Sequence, residues 1–327
     1  MARTISIVGA GRVGRTLGKR LRKLGWRIGA VVTRSAATSR AAVRAIGAGI
    51  PHASLTAIFS ADLPGNGRAG LQPRRKRLTS QGALAPEASA SSQFAKADVI
   101  LLTTPDDALA GVVRVLAEVG GNDWRGKIAL HTSGTLDRSV LAPLARLGAA
   151  TGSIHPMQAF GGKIVPNLRG VIFTIEGDRP AQKTARSIAQ SLGGVPVVIE
   201  GRDKPVYHAA AVMAAGSAYP TMEAGVQLLM RIGFSRARAM QTLVPLIRQI
   251  FDNIERIGPR AAWTGPLSRG DYDVVAAHAA ALRRHPSEVQ EAYAALAHLA
   301  ARVLSKRPAS ATKRLKRALK KAKGGFR

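Results

Sequence analysis

The sequence predicts an α/β protein in which a doubly wound, mostly parallel sheet is followed by a smaller all-α domain. Short apolar segments alternate with segments of helical periodicity up to about residue 200, as in strands joined by crossover helices. A glycine-rich turn, residues 9–14, connects the first strand directly to the first helix, and after Gly201 only helical periodicity remains. We therefore expect an α/β domain over residues 1–201, a helical domain over 202–304 and a basic tail over 305–327.

The predicted strands are apolar along most of their length, as in a sheet covered on both faces. The helices between them carry apolar residues three or four positions apart, as Leu17, Leu21 and Leu24 do. The predicted elements are strand Thr4–Val8, helix Arg15–Leu24, strand Ile28–Thr33, helix Ser39–Gly47, strand Asp98–Thr103, helix Asp106–Val119, strand Lys127–His131, helix Asp137–Leu147, strands Thr151–His155 and Val171–Glu176, helix Ala181–Leu192 and strand Val195–Glu200.

The second region is predicted to be helical throughout. Its first helix covers Lys204–Ile232 and should bend near Pro220, because proline cannot donate a helical hydrogen bond. Ser287 is expected to cap the last helix, with Gln290 three residues on. Residues 64–93 lack periodicity and are rich in Gly, Pro and Ser, so they read as a disordered insertion. The remaining predicted helices are Ser235–Glu255, Tyr272–Arg284 and Ser287–Leu304.

Composition excludes several classes of protein. The chain has 327 residues, 46% of them hydrophobic but only 4% aromatic, so a core built on small side chains is expected. Without cysteine there is no disulfide, iron–sulfur cluster or cysteine nucleophile. The seven histidines are scattered, so no metal site is predicted. Neither a signal peptide nor a membrane span is apparent, which predicts a cytoplasmic protein.

The formal net charge of +30 is extreme for an enzyme. Residues 305–327 hold ten Lys or Arg and no acid, and the segment Pro73–Arg77 is a second basic cluster. One interpretation is a set of solvated tails and loops. The other is sequence-independent, salt-sensitive contact with nucleic-acid phosphates or an anionic membrane.

The turn GAGRVG at residues 9–14 has the context of a dinucleotide-binding motif, because a strand precedes it and a helix follows. Gly9 permits the tight turn, Gly11 lets the backbone approach a pyrophosphate, and Gly14 lets the helix pack on the sheet. The free N–H groups at the helix start favour an anion. The residues predicted to bind the cofactor here are Gly9, Ala10, Gly11, Arg12, Val13 and Gly14.

The end of the second strand indicates NADP rather than NAD. NAD-binding proteins place an acid there for the ribose hydroxyls, whereas this chain reads Thr33, Arg34 and Ser35 and has no acid before Asp62. A guanidinium and hydroxyl groups would hold the 2′-phosphate that a carboxylate would repel. The alternative is that Arg34 is an ordinary surface arginine. Thr104 and Pro105, after the strand Asp98–Thr103, are expected beside the ribose, although a proline at a helix start is equally a plain structural device.

Two histidines end strands at the edge where ligands of open α/β sheets bind. His131 and His155 are therefore candidate acid–base residues, since an imidazole titrates near neutrality. The alternative for each is a structural histidine that bonds loop backbone. Ser133 and Gln158 follow these strands and are candidate substrate-binding residues.

Six motifs together resemble a bacterial family with a Rossmann-like N-terminal domain and a C-terminal helical domain of unknown function. That family is in turn similar to pyrroline-5-carboxylate reductase, ketopantoate reductase and 6-phosphogluconate dehydrogenase. The resemblance implies an NADP-linked oxidoreductase whose helical domain closes the site and forms a homodimer. Relatives carry Asn where this chain has Gly216. The motifs are GAGRVG at 9–14, TTPDDAL at 103–109, HTSG at 131–134, HPMQAF at 155–160, YHAAAV at 207–212 and GPLSRGD at 265–271.

The resemblance adds candidates in the helical part. His208 resembles in position the helical lysine of the hydroxyacid dehydrogenases, and Tyr207 adjoins it; both are equally readable as packed interface residues. Arg269 could clamp a substrate carboxylate or phosphate. Asp271 could instead pair with Arg269 and serve structure alone.

Three functions follow as hypotheses. The first is an NADP-dependent reductase or dehydrogenase acting on C=O or C=N of a small anionic substrate. The second is a non-catalytic NADP-binding sensor. The third is a nucleic-acid-associated protein that uses the basic tail and the cluster Pro73–Arg77. The fold does not specify the substrate.

Overall fold

The computed structural model describes residues 3–53, 96–119, 124–161 and 165–323. The chain divides into two compact units, unit 1 over Met1–Val212 and unit 2 over Met213–Arg327. The predicted insertion at 64–93, with its basic cluster Pro73–Arg77, lies outside the described residues.

Unit 1 is built on one eight-stranded sheet with the order β3-β2-β1-β4-β5-β6-β7-β8. Neighbouring strands are parallel except β6 and β7, which are antiparallel. The predicted mostly parallel α/β class is thereby confirmed. The strands are β1 Thr4–Val8, β2 Arg27–Val32, β3 Ile50–His52, β4 Val99–Leu102, β5 Ile128–His131, β6 Ala150–Pro156, β7 Ile172–Gly177 and β8 Val195–Val198.

Helices cover both faces of this sheet. Alternate residues of β4 point to opposite sides: Val99 and Leu101 join one buried cluster, and Ile100 and Leu102 join the other. This burial on both faces is why the strands lack polar alternation. The helices of unit 1 are α1 Arg12–Lys23, α2 Ala36–Ile46, α3 Asp106–Val119, α4 Ala142–Arg146, α5 Arg179–Ser191 and α6 Lys204–Ala211.

Several predicted boundaries in unit 1 were wrong. Helix α1 begins at Arg12 rather than Arg15, directly after its N-cap Gly11. Helix α2 begins at Ala36 because the Ser35 side chain accepts a hydrogen bond from the N–H of Thr38. The predicted helix Asp137–Leu147 is a 3₁₀ turn, Arg138–Leu141, followed by α4. Pro143 lacks an N–H, so it sits in the first turn of a new helix.

The long helix predicted from residue 204 is interrupted earlier than expected. A π-helical segment, Val212–Gly216, separates α6 from the next helix, and Gly216 is its last residue. Pro220 lies in the first turn of that next helix, where a missing N–H costs no bond, so the interruption precedes Pro220 instead of lying at it. Unit 2 contains α7 Ala218–Arg231, α8 Arg236–Ile257, α9 Pro259–Ala262, α10 Pro266–Arg269, α11 Tyr272–Leu282, α12 Ser287–Val303 and α13 Pro308–Lys323.

Most of the predicted basic tail is the helix α13. Its buried residue Leu315 packs with Val275 of α11 and Ala301 of α12, so the helix belongs to the core of unit 2. At the start of α12 the N-cap is Pro286 rather than Ser287, and Gln290 donates to the carbonyl of His285 instead of closing a capping box.

The predicted homodimer stays a prediction. Helix α8 exposes Leu246, Phe251 and Ile257, which are 54–58% accessible in the single chain. Exposed apolar surface of this kind is typical of protein–protein contacts. Among the described helices, none has the length and apolarity needed to span a membrane.

Candidate functional site

The candidate site lies along one edge of the sheet in unit 1. Strands β1, β2, β4, β5 and β6 run parallel, so their carboxyl ends meet at this edge. Gly9 follows β1, Thr33 follows β2 and Thr103 follows β4, while His131 ends β5 and His155 lies near the end of β6. Residues that are far apart in the sequence therefore meet at one edge of the sheet, as in other open α/β sheets.

The glycine turn is fixed by contacts that only glycine permits. Gly9 has φ +85°, and a Cβ there would lie 2.5 Å from Thr104 Cγ2 and 2.6 Å from Thr104 N. The Thr103 hydroxyl donates to the Gly9 carbonyl oxygen at 2.6 Å. A Cβ on Gly14 would collide with that same hydroxyl. The turn and the end of β4 therefore support each other.

Gly11 differs from these two glycines because its outer side is open. Within the described part of the chain, a Cβ at Gly11 would meet only the Gly9 carbonyl oxygen, at 3.9 Å. Among the described residues no side chain caps the N-terminus of α1, so the first-turn N–H groups of Arg12, Val13 and Gly14 have no side-chain acceptor there. The arrangement is a cradle into which an anion fits.

Next to the cradle is a cavity of about 490 Å³ whose lining includes Val8, Gly9, Val32, Arg34 and Thr104. The described residues lining it include no carboxylate. The Thr104 hydroxyl is buried and has no hydrogen-bond partner within the described chain. An unsatisfied buried hydroxyl beside a cavity is available to bond a ligand there.

The hydroxyls after β2 form their own cluster. Thr33 Oγ1 lies 2.6 Å from Thr38 Oγ1, and Ser35 Oγ lies 2.9 Å from the same atom. Ser35 also caps α2, so its hydroxyl is already engaged. Arg34 is exposed and forms no ion pair with the described residues, which leaves its guanidinium available.

His131 is buried, and both ring nitrogens are bonded to backbone. Nδ1 accepts from the Ser133 N–H at 3.2 Å, which places the proton on Nε2 for donation to the Asp137 carbonyl oxygen at 3.1 Å. Burial, aided by the charge of Lys204, lowers the pKa of His131 to about 3. The ring is therefore neutral and holds the loop of residues 132–137.

The hydroxyl of Ser133 has three partners within the protein. It donates to Asp106 Oδ2 at 2.7 Å and accepts from the N–H groups of Thr135 and Leu136 at 3.1 and 2.9 Å. A hydroxyl has one donor and two acceptor positions, so this side chain is fully engaged in shaping the loop.

His155, Tyr207 and His208 form a cluster at the same edge. His155 Nδ1 and the Tyr207 hydroxyl are 2.9 Å apart, and the rings of His155 and His208 meet edge to face at 5.9 Å. Burial raises the pKa of Tyr207, so the phenol keeps its proton and can donate it to Nδ1. His155 Nε2 then carries the ring proton and has no hydrogen-bond partner among the described residues.

The backbone of Gly134 packs directly against this cluster. A Cβ there would come within 2.5 Å of His208 Cδ2 and 2.9 Å of His155 Nε2. Burial, then the charges of Lys204 and His208, lower the pKa of His155 to about 4. His155 is thus neutral at pH 7 and only partly exposed.

Lys204 is the residue that the sequence analysis missed. It is fully buried, and its Nζ donates to the Ser133 carbonyl oxygen at 2.9 Å and to Ser153 Oγ at 2.7 Å. Burial lowers its pKa to about 8, against the opposing effect of nearby carboxylates, Glu176 foremost. In the sequence it precedes Pro205 at a helix start, as an ordinary surface lysine could. Nothing in the sequence therefore indicates that Lys204 is buried at this site.

Other candidates stand apart from this cluster. Gln158 lies beyond β6 and donates to its neighbour's carbonyl at Ala159. Arg269 and Asp271 belong to unit 2 and form an ion pair, with Arg269 Nε 3.0 Å from Asp271 Oδ2. The ion pair between Arg269 and Asp271, which was one alternative from the sequence, is present. A substrate-clamping role for Arg269 stays a prediction.

The two histidines predict a loss of stability in mild acid. Their pKa values, about 3 for His131 and about 4 for His155, lie below the ordinary 6.5, so the unfolded chain binds more protons between pH 6.5 and 4. The free energy of unfolding should fall in this window by up to about 1.4 kcal/mol per histidine per pH unit. Urea unfolding midpoints measured from pH 7 to pH 4 check this.

The variant His155→Gln should flatten part of this dependence, while His298→Gln, which changes a histidine of unit 2, serves as the matched control. A midpoint that does not vary with pH in the parent protein would contradict the prediction.

Comparisons with known proteins agree with this architecture. Residues 67–156 match a Rossmann-like domain, and residues 171–300 match the domain of unknown function DUF2520. These matches confirm the combination inferred from the motifs. Among curated proteins none matches the chain.

Solved structures resemble the chain over nearly its whole length. Protein BF3122 from Bacteroides fragilis is 20% identical with a TM-score of 0.66, covering 90% of this chain and 96% of its own. An imine reductase from Streptomyces aurantiacus is 15% identical, with a TM-score of 0.61 and coverage of 98% and 100%. A reductive aminase from Aspergillus terreus, in complex with NADPH, is 14% identical, with a TM-score of 0.61 and coverage of 92% and 94%. At these identities the likeness establishes the fold.

Proposed function

We propose that the protein is an NADP-dependent oxidoreductase that reduces or oxidises a C=O or C=N bond of a small, anionic substrate. The observation that carries the proposal is the shared sheet edge, where an open glycine cradle, a cavity with no carboxylate among its described lining residues, and a neutral imidazole occur together. The names of the similar structures, an imine reductase and a reductive aminase bound to NADPH, support the same reaction class.

The residues at this edge fit NADP. The N–H groups at the start of α1 suit the diphosphate, since Gly11 leaves the approach open. Arg34, with the hydroxyl of Thr33, suits the 2′-phosphate, which would meet no carboxylate among the described lining residues of the cavity. The unpartnered Thr104 hydroxyl can bond a ribose oxygen. When bound, the nicotinamide supplies or accepts a hydride at C4.

The protein's own groups hold the proton that such a reaction needs. The Tyr207 hydroxyl donates to Nδ1 of His155, which keeps the proton of the neutral ring on Nε2. From there it can be donated to a carbonyl oxygen or imine nitrogen. Gly134 sets the position of Nε2, because any side chain there would displace the ring.

Calorimetric titration with NADP and NADPH, followed by NADPH oxidation with a panel of keto acids and cyclic imines, tests the proposal. Binding together with turnover supports it. Binding without turnover over the panel identifies the alternative, a non-catalytic NADP-binding protein. A folded protein that takes up neither form of the cofactor refutes both.

Arg34→Asp should weaken NADPH binding about 10- to 100-fold, the effect of losing charged hydrogen bonds of about 1.5–3 kcal/mol. NADH, which lacks the 2′-phosphate, should bind as before or better. Dissociation constants from calorimetry give the comparison. Arg186→Asp on α5, with the same change of charge on an exposed residue, is the control. Equal losses of NADPH affinity in the two variants would exclude Arg34 as a cofactor-binding residue.

A further inference from the structure

A groove of about 780 Å³ in unit 2 is lined by positive charges. Arg302 near the end of α12 faces it together with Lys313, Lys316 and Arg317 of α13. The described residues that line the groove include no carboxylate, and none of these four side chains forms an ion pair within the described chain. The groove is thus an uncompensated cationic surface.

The arrangement follows from the two faces of α13. Ala311, Leu315, Ala318 and Ala322 are buried at intervals of three or four residues, which fixes one face against the unit. At 100° per residue, Lys313, Lys316, Arg317 and Lys320 all fall on the opposite half of the helix. These four positions extend over about 10 Å along the helix axis, at about 1.5 Å per residue.

Such clustering of like charges opposes folding. Positive side chains three and four residues apart on a helix repel each other, and Arg302 adds a further charge from α12. An acidic side chain nearby would offset the repulsion, as Asp273 of α11 does for Lys321. A surface that keeps its repulsion and is held rigidly by a buried helix face is suited to a polyanion.

We propose that this groove, with the outward face of α13, binds the phosphate backbone of a nucleic-acid duplex without reading its sequence. The row of charges is longer than one phosphate group, whereas a duplex presents about one negative charge per 1.7 Å of its axis. No aromatic side chain lines the groove among the described residues, so the base stacking used for single strands has no platform here.

An anionic membrane fits less well. A helix that lies on a membrane inserts its apolar face between the lipids. In α13 that face is buried within unit 2, with Leu315 at 0% exposure. Only the electrostatic part of membrane attraction would remain.

The test measures binding of the full chain to a fluorescent 30-base-pair DNA duplex by anisotropy at several salt concentrations. The variant Lys313→Gln/Lys316→Gln/Arg317→Gln removes three exposed charges from the groove and leaves the buried face of α13 unchanged. Its plot of log affinity against log salt should be shallower by about 3, because each phosphate contact contributes about 0.9 to the slope.

The matched control is Arg179→Gln/Lys183→Gln/Arg186→Gln, which removes three exposed charges from α5 of unit 1. A parent slope that drops in the groove variant and not in the control supports the proposal. Equal drops in both variants, no duplex binding, stronger binding of single strands, or binding to phosphatidylserine vesicles but not to the duplex would each overturn it. Circular dichroism of both variants checks that they remain helical.

Discussion

Replacing His155 by glutamine is expected to lower kcat/KM by about 10²- to 10⁴-fold, the usual contribution of a positioned acid–base group. The ring is neutral, its Nδ1 is occupied by Tyr207, and its Nε2 has no partner in the described chain. Glutamine keeps the polarity and much of the volume but cannot pass a proton in the same way. The measurement is steady-state NADPH oxidation with the best substrate of the panel.

The cofactor affinity of this variant should not change, because the predicted cofactor contacts lie at α1, after β2 and after β4. Tyr207→Phe should cause a smaller loss, since it removes the bond that fixes the tautomer of His155 and leaves the ring in place. His298→Gln in unit 2 is the control. Full turnover by His155→Gln would exclude His155 as the proton donor.

Replacing Lys204 by methionine is expected to destabilise the fold and to raise the pKa of His155. Methionine fills similar space but leaves the Ser133 carbonyl and Ser153 Oγ without their donor, at a cost of about 1–3 kcal/mol for each. Removal of the positive charge beside His155 favours its protonated form. The pKa should move up from about 4 without reaching 6.5, because burial is the larger cause and stays.

Urea unfolding gives the change in stability, and an NMR titration of the His155 ring proton gives the pKa. The NMR titration separates a positioning residue from a merely structural one, since a packing defect elsewhere would not change the pKa of His155. Lys183→Met, on the exposed face of α5, is the matched control. A stable variant with an unshifted His155 would show that Lys204 does not act on this site.

The strands and the glycine cradle could be predicted because their signals are local. Strand β1 and helix α3 were predicted with the observed bounds, since each is bordered by a residue that starts or ends the element. The short strand β3 was missed: it has three residues, includes Pro51, and is largely exposed, so it lacks the apolar run that marks the others.

The site was only partly predictable because its chemistry depends on neighbours distant in the chain. The sequence placed His131 and His155 at the same edge but could not tell them apart. Their difference comes from the loop: both nitrogens of His131 are bonded to backbone, while His155 meets Tyr207 some fifty residues later. Lys204 is buried by the fold alone, and nothing adjacent to it in sequence indicates this.

The packing of α13 has a consequence for shortened versions of the protein. A chain cut after residue 304 would lose Leu315 and uncover Val275 and Ala301, which pack against it. Truncation would thereby remove charge and part of a hydrophobic core at once. For the same reason a protease that attacks unfolded ends should spare this C-terminal helix as long as unit 2 stays folded.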